Sequence, residues 1–561
     1  MNKEYLRWLE KAVDDNDIIA ELSSIQNDEA KITDAFYRDL EFGTGGLRGV
    51  IGAGTNRMNI YTVAKASQGL ANYVLNHFEE GKRSIAVSYD SRIKSELFAQ
   101  VASGVFAANG IAVHIFTELM PTPCLSFATR VLECSAGIMI TASHNPSKYN
   151  GYKVYGDDGC QITTEAADEI LAKIQKVDIF EDVKKIDFEA GVKQNLIQYI
   201  SNDVYTAFIE CVKNETLLSK TETINKDVAI VYSPLNGAGL KPVLRALNES
   251  GFTNITVVKE QEKPDGNFTT CPYPNPEIRE TLSLGLQYAK KYNADLMLAT
   301  DPDCDRVGIA VKNKDGEHEL LSGNEVGMLL LDYICSQRIK NGTMPKNPVM
   351  IKTIVTIDMA KRIADKYSVQ TIDVLTGFKF IGEQIGLLEK QNRLNDYIFG
   401  FEESYGYLSG TYVRDKDAVN GAFLICEMFA YYKTQNISLL DKLQGLYSEF
   451  GYCLNTLHSY EFEGASGFEK MQNIMTTFKE YKGDFSDKKI EQQLDYNLGI
   501  DGLPKSNVLK YLLSGNCSIV VRPSGTEPKL KIYISISAKT KESATEIEQN
   551  IVQELEKILG D

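Results

Sequence analysis

Along most of the chain, short apolar runs of strand length alternate with longer segments whose apolar residues recur at helical spacing. Runs at 84–88, 111–116 and 136–140, separated by helical lengths, predict an α/β unit in the N-terminal part. The pattern restarts at 227–232. A Gly-rich turn, a helix to about Leu247, and strands at 255–258 and 294–300 follow. A third unit is predicted from about Asn324, with strands at 349–354, 370–374 and 397–401. The last segment is different in kind: strands at 518–521 and 530–536 precede a helix in which Ile547, Ile551, Leu555 and Leu559 recur every four residues, a stripe that predicts core packing. A chain of 561 residues with 43% hydrophobic content is too large for one core and predicts three to five domains. Boundaries are placed near 205, 322 and 450, giving domains 1–205, 206–322, 323–450 and 451–561. The most loop-like long stretch, 261–276, carries Pro-Asp-Gly and Pro-Asn-Pro turns inside the second of these.

Three places along this pattern carry candidate chemistry. The buried run 136–140 leads into Thr141-Ala142-Ser143-His144-Asn145-Pro146, and Asn-Pro disfavours continuation of a regular element, so Ser143 is expected on a loop at a sheet edge. The run 294–300 leads into Asp301-Pro302-Asp303-Cys304-Asp305-Arg306, where carboxylates at alternating positions suit a hard divalent cation. Calcium-loop geometry is excluded, because loop positions six and twelve hold Arg306 and Lys312 instead of Gly and Glu. A compact Mg²⁺ site that leaves room for a phosphate oxygen fits better. Near the C-terminus, Arg522-Pro523-Ser524-Gly525-Thr526-Glu527-Pro528-Lys529 joins two strands; a guanidinium fork, two hydroxyls and a glycine there suit an anion. Taken singly, each has an ordinary structural reading: local turn hydrogen bonds at Ser143, a solvated hairpin at Arg522. Together a hydroxyl nucleophile, a carboxylate triad and a phosphate cradle point to phosphoryl transfer.

With these motifs the chain resembles the α-D-phosphohexomutase superfamily, in its long phosphoglucomutase/phosphopentomutase branch. The resemblance runs end to end. Phe42-Gly43-Thr44-Gly45-Gly46-Leu47-Arg48-Gly49, the Ser143 segment with Asn150-Gly151-Tyr152-Lys153, the aspartate loop, Leu375-Thr376-Gly377-Phe378-Lys379, Gly400-Phe401-Glu402-Glu403-Ser404-Tyr405-Gly406, Arg414-Asp415-Lys416-Asp417 and the Arg522 loop occur in the family's order. It implies three related α/β domains and a smaller C-terminal α+β domain of the TATA-box-binding-protein-like type around a central cleft. It also implies a phosphosugar mutase that interconverts glucose 1-phosphate and glucose 6-phosphate through a phosphoserine and a sugar 1,6-bisphosphate, which also serves as activator.

By the same resemblance Ser143 carries the phosphoryl group and one Mg²⁺ is held by Asp301, Asp303 and Asp305 with an oxygen of phospho-Ser143. Arg48 and Arg306 stabilise transferring charge, Lys153 is the general acid/base, and His144 orients its neighbours. Glu402 and Ser404 bind sugar hydroxyls with Thr376 and Gly377 nearby, and Lys379, Lys416, Arg522, Ser524, Gly525 and Thr526 hold the non-reacting phosphate. One departure stands out: Asn236, in Tyr232-Ser233-Pro234-Leu235-Asn236-Gly237-Ala238-Gly239, replaces a His of many relatives.

Charge and cysteine usage narrow the partners. A net charge of −16 argues against a nucleic-acid partner, which Lys and Arg would have to neutralise. Ten cysteines, none closer than Cys124 to Cys134, form no zinc pairs or dense disulfide framework and suit a reducing cytoplasm. No apolar stretch reaches the ~18 residues of a membrane span, and residues 1–16 mix charged with apolar side chains, so neither signal peptide nor anchor is expected. Three other functions are compatible with parts of this pattern. A haloacid-dehalogenase-type phosphatase would use Asp301 as nucleophile but leaves Ser143 and the Arg522 loop without a task. A catalytically dead sugar-phosphate sensor is disfavoured by the intact chemical positions. A glucose-1,6-bisphosphate synthase would share the phosphoserine chemistry, and a phosphopentomutase or phosphomannomutase would differ in the sugar.

Overall fold

The structure is a computed structural model. It describes residues 3–43, 45–219, 221–462, 464–523 and 529–560. The chain forms two compact units: Met1–Ser322 with Phe378–Tyr397 and Ser404–Tyr431, and Gly323–Gly377 with Ile398–Glu403 and Tyr432–Asp561.

The first unit opens with three short helices, Lys3–Lys11, Asn16–Ser24 and Glu29–Phe36. Asp15 and Asp28 cap the second and third by accepting from backbone N–H groups that have no partner inside the helix. Trp8 is fully buried and meets Phe36, Tyr61 and Phe180 edge-on. Behind them lies a seven-stranded sheet in the order Phe42–Gly43, Gly46–Val50, Tyr149–Gly156, Ala136–Ile140, Ser84–Tyr89, Ala112–Ile115, Ile197–Tyr199. The four strands from Ala136–Ile140 outward pair in parallel, while Tyr149–Gly156 runs antiparallel to both of its neighbours. Ile85, Val87, Ile138 and Ile140 face a core shared with Leu70, Val74, Phe98, Phe106 and Ile170 of the covering helices. Met139 points to the opposite face, against Leu125 and Tyr155. Strands covered on both faces carry no polar face, so the continuous apolar run at 136–140 is what burial requires.

A five-stranded sheet follows, ordered His318–Leu321, Val307–Lys312, Leu296–Thr300, Ile230–Ser233, Ile255–Val257. Leu296–Thr300 pairs in parallel with Ile230–Ser233 and antiparallel with Val307–Lys312. The aspartate loop is therefore a hairpin connection closed by Thr300 opposite Val307.

In the second unit strand Val349–Thr353 lies beside Gln370–Val374 in parallel. The C-terminal portion is a fully antiparallel sheet ordered Tyr452–Glu461, Lys529–Ala538, Cys517–Pro523, Leu509–Leu513, Ile490–Asp495. Helix Lys541–Leu559 packs Ile551, Leu555 and Leu559 on Ile519, Val521, Ile532 and Ile534 of that sheet, with Ile547 against the same core. The four-residue stripe is core packing, as its period predicts.

The architecture is the expected mixture of α/β units and a C-terminal α+β unit. It contains more strands than the apolar runs announce. Tyr149–Gly156 begins three residues after the Asn-Pro that marked a stop, and Asn150-Gly151 lies inside it. Gly151 is required there: a Cβ would lie 2.5 Å from the Thr141 carbonyl oxygen. Tyr452–Glu461 and Ile490–Asp495 were not predicted because they are half-exposed and polar for most of their length. Among the described residues no helix is long and apolar enough to cross a membrane.

Candidate active site

Ser143 sits at the end of strand Ala136–Ile140, only 3% exposed, with φ +52°. A left-handed backbone at a non-glycine residue costs about 1–2 kcal/mol and persists only where the surroundings hold it. Cys304, in the aspartate loop, has φ +51°. Both loops of the candidate site are thus held in the same unfavourable conformation. The Ser143 N–H donates to Thr141 Oγ1 at 2.7 Å; its Oγ donates to Asp301 Oδ2 at 3.2 Å and lies 3.1 Å from His144 Nδ1. Packing around the imidazole, then Arg306 and Arg48, holds His144 well below its ordinary pKa and so neutral.

Asp301, Asp303 and Asp305 are buried, and one oxygen from each lies within 4.8 Å of the others. Asp301 Oδ1 accepts the N–H groups of Asp305 and Arg306 at 3.1 and 3.0 Å. Asp303 Oδ2 accepts from Lys153 Nζ at 2.8 Å and from Thr122 Oγ1 at 3.1 Å. Asp303 Oδ1 and Asp305 Oδ1 are buried without a hydrogen bond among the described residues, whereas Asp305 Oδ2 meets the ammonium groups of Lys416 and Lys153 at 3.0 and 3.5 Å. Buried carboxylate oxygens with no donor are costly, and hard oxygen ligands of this kind are what a divalent cation takes. The donor set therefore fits a metal. Burial, then Asp305 and Asp303, push Asp301 well above the usual carboxylate range. Burial also opposes charge on Asp303, but Lys153 and Lys416 hold it well below that range.

The strand order brings Lys153 to this cluster: it stands on the strand beside Ala136–Ile140, which leads into the Ser143 loop, in register with Met139. Its Nζ is 3.5 Å from Asp305 as well, and although burial opposes its charge, Asp303 and Asp305 raise its pKa. Lys416, expected with the non-reacting phosphate, is instead 3.0 Å from Asp305 Oδ2 and 3.3 Å from Asp415 Oδ1, within the carboxylate cluster. Tyr155 donates to the other oxygen of Asp415 at 2.8 Å. Arg306 pairs with Glu277 and lies 3.8 Å from Asp305 and 4.0 Å from Asp301. Arg48, on strand Gly46–Val50, is exposed and donates to Asn145 Oδ1 at 3.3 Å. Lys379 is nearly buried at the start of helix Phe378–Lys390, its Nζ 5.1 Å from the Phe380 ring centre, and burial lowers its pKa to about 8. Ser404 is half-buried in a turn whose Tyr405 carbonyl accepts from Val307, the residue closing the aspartate hairpin.

In the second unit Glu402 ends strand Tyr397–Glu402, and its Oε1 accepts the Gly377 N–H at 3.0 Å. Thr376 Oγ1 is buried with no hydrogen bond among the described residues. Arg522 lies near the end of strand Cys517–Pro523, half-buried. Ser524, Gly525 and Thr526 lie outside the described residues.

Four family descriptions match in chain order: phosphoglucomutase/phosphomannomutase alpha/beta/alpha domain I over residues 39–180, domain II over 206–316, domain III over 322–450, and the C-terminal domain over 479–554. A phosphoglucomutase of Staphylococcus saprophyticus is 35% identical over 554 residues, covering 96% of this chain and 97% of its own. One of Staphylococcus aureus strain USA300 is 37% identical over 552 residues, covering 96% of each. This chain belongs to the phosphoglucomutase/phosphomannomutase family. Its fold likeness extends to an open-form Paramecium structure described as the exocytosis-sensitive phosphoprotein parafusin, a phosphoglucomutase, at TM-score 0.70 and 19% identity, covering 93% of this chain and 95% of that one. A family protein of Burkholderia thailandensis matches at TM-score 0.67 and 16% identity, covering 92% and 97%.

Two residues of this family member escaped the sequence reading. Arg92 is buried, and its Nη1 donates to the carbonyls of Pro146 and Tyr149 at 3.0 and 3.1 Å, while Nη2 donates to those of Asn145, at 2.6 Å, and Ser143. Asp90 accepts from Thr141 Oγ1 at 2.6 Å, from Ser95 Oγ at 2.8 Å and from the Arg92 N–H at 3.0 Å, and its Oδ2 lies 3.2 Å from Arg92 Nε. The pair clamps the serine loop from the neighbouring strand. The one available signal was Asp90-Ser91-Arg92 directly after an apolar strand run. Asn236, at the position of departure, is buried with φ +59° and spends its side chain inside its own domain: Nδ2 donates to the Lys263 carbonyl at 2.8 Å, and Oδ1 accepts from Thr270 Oγ1 at 3.3 Å.

Arg92→Lys replaces a planar fork with a point charge that cannot reach four carbonyls. At least 2 kcal/mol of local stability is expected to go, read as amide exchange across 143–150 accelerated by about 30-fold. Unchanged exchange there would show that the clamp carries no load.

Proposed function

We propose that this chain interconverts glucose 1-phosphate and glucose 6-phosphate by carrying a phosphoryl group on Ser143, with glucose 1,6-bisphosphate as the intermediate. The observation that carries this is Ser143 Oγ at 3.2 Å from Asp301 Oδ2, on the edge of a buried carboxylate triad with unsatisfied oxygens. Family membership and the naming of full-length relatives as phosphoglucomutases support glucose as the sugar. The four domains divided near 205, 322 and 450, and a cytoplasmic setting for ten free thiols, are part of the same reading.

Phospho-Ser143 donates to the free hydroxyl of the bound sugar phosphate: the bond from phosphorus to the sugar oxygen forms as the bond to Ser143 Oγ breaks. The bisphosphate then turns, and the serine takes back the phosphoryl group from the other end. Lys153, whose ammonium form Asp303 and Asp305 favour, protonates the departing Ser143 oxygen and takes up the proton that the attacking sugar hydroxyl loses, and the same exchange runs backwards in the return step. Neutral His144 orients the serine oxygen, and Arg48 and Arg306 face the charge in transfer. Asp301, Asp303 and Asp305, with an oxygen of phospho-Ser143, would hold Mg²⁺, which when bound supplies charge neutralisation at a phosphoryl group. Glu402, Ser404, Thr376 and Gly377 bind sugar hydroxyls, and Lys379, Arg522 and the loop 524–526 hold the second phosphate; Lys416 serves the metal end.

Incubation with ³²P-labelled glucose 1,6-bisphosphate followed by peptide mapping tests the reading. Label on Ser143 that survives hydroxylamine is the expected result. Label on Asp301 that hydroxylamine removes, or no label, would overturn it in favour of the phosphatase or the sensor.

Lys379 makes the reaction pH-dependent. Its folded-state pKa of about 8 lies below the ordinary value, so the ammonium that pairs with phosphate is present below that pH and lost above it. The expected result is a kcat/KM that falls as pH rises through about 8, and a profile flat to about pH 9.5 in Lys379→Arg, whose guanidinium stays charged. An alkaline limb that persists in the variant would assign it to another group.

A further inference from the structure

The second unit holds another cluster of charges, which the proposed chemistry does not touch. Asp358, at the start of helix Met359–Lys366, accepts from Ser518 Oγ at 2.6 Å through Oδ2. Its Oδ1 lies 3.2 Å from Lys510 Nζ and 3.4 Å from Lys352 Nζ. Both lysines are buried. Lys352, on strand Val349–Thr353, also meets Asp373 at 2.9 Å and donates to the Thr356 carbonyl at 3.1 Å. Among the described residues Asp358 is the one carboxylate paired with Lys510, which also donates to the Ile354 carbonyl at 3.0 Å. Burial opposes charge on Asp358, yet Lys510 and Lys352 hold its carboxyl below the usual range.

The cluster joins two elements that the proposed reaction needs. Lys510 and Ser518 stand on adjacent antiparallel strands, Lys510 opposite Val520 and Leu512 opposite Ser518. Alternation along the strand puts Ser518, Val520 and Arg522 on one face. On the other side, the hydroxyls of Thr353 and Thr356 both donate to Glu403 Oε2, at 3.3 and 3.2 Å. Glu403 follows Glu402, which takes the Gly377 N–H. Hydrogen bonds and backbone thus run unbroken from the Arg522 strand through Asp358, Lys352 and the 353–356 turn to Glu402. An apolar contact tolerates sliding by a fraction of a residue; a desolvated ammonium does not, because leaving its carboxylate strands a buried charge.

We propose that Asp358 is a positioning residue that locks the Arg522 strand in register with the turn supporting Glu402 and Glu403, so that the second phosphate and the sugar hydroxyls are gripped together. The inference rests on the functional reading above for what those two elements bind. It assigns to Asp358 no contact with substrate.

Two variants test it, Asp358→Asn, which keeps the shape and the Ser518 bond but removes the charge facing two lysines, and Ser518→Ala, which leaves both lysines paired. Binding of glucose 6-phosphate is measured by calorimetry, and kcat, KM and bisphosphate released per turnover are measured for glucose 1-phosphate. Asp358→Asn is expected to weaken binding and raise KM by about tenfold or more, keep kcat within about threefold and release more bisphosphate, with Ser518→Ala moving the same way by about threefold. A role in stability alone would lower the melting temperature and leave both constants unmoved, and that result overturns the proposal. Should Asp358→Asn fail to fold, Ser518→Ala decides: a raised KM supports the lock and an unchanged one removes it. Glucose 6-phosphate binding does not require transfer through Ser143, so weakened binding in the variants sustains the lock even where label fails to appear on Ser143; a wild-type protein that binds no sugar phosphate overturns both.

Discussion

Ser143→Ala is expected to lower mutase kcat by about 10⁴-fold or more, because in the proposed mechanism the serine carries the phosphoryl group in both half-reactions and no neighbouring hydroxyl replaces it. The fold should survive. Alanine can occupy the same left-handed backbone at a similar cost, and the Arg92 clamp grips the carbonyls of the loop and not the serine side chain. The single tertiary bond lost is the one to Asp301 at 3.2 Å. A coupled assay for glucose 6-phosphate with bisphosphate present reads the loss, and thermal melting reads the fold. Activity within tenfold of wild type would remove Ser143 from the mechanism.

Asp303→Asn has the second-largest expected effect, a fall in kcat of about 100- to 1,000-fold, equivalent to about 3–4 kcal/mol of transition-state stabilisation. Asp303 brings to the triad a buried oxygen that no hydrogen bond satisfies, and it also anchors Lys153 at 2.8 Å. Stability should respond differently. Burial first, and then the charges of Asp305 and Asp303, disfavour the ionised form of Asp301, so removing one charge from the triad relieves the metal-free fold while weakening the hold on Lys153, which keeps Asp305 at 3.5 Å. These two effects oppose, and the melting temperature in EDTA is expected near that of wild type. Added Mg²⁺ should then raise the wild-type midpoint by mass action and raise the variant's less. Wild-type protein fully active in EDTA, or a variant as active as wild type, would show that the triad holds no catalytic metal.

How much of this was legible beforehand follows the range of the interactions. Strand 136–140 is read correctly to the residue, because a strand covered on both faces must be continuously apolar and that signal is local. The helix stripe at Ile551, Leu555 and Leu559 is local in the same sense. The aspartate loop is legible because three carboxylates that could hold one ion lie within five residues of sequence. Family motifs extended the reading to Lys153 and Glu402, though not to what each would touch. Lys416 shows the limit: expected at the second phosphate, it pairs with Asp305, more than a hundred residues away in the chain.

The sequence by itself determined the buried strands, the loops they end in, the residue types offered there and the family to which they belong. These depend on spacing along the chain and on the turn chemistry of Gly, Asn and Pro. Only the tertiary structure decided that Arg92 clamps the serine loop, that Lys153 and Lys416 converge on the triad, that Asn236 turns inward and that Asp358 ties two buried lysines to the Arg522 strand. A charged or amide side chain in a sequence looks the same whether solvated or buried. Its role is set by the partner that repays its desolvation, and that partner is supplied by strand order and packing across distances no local pattern encodes.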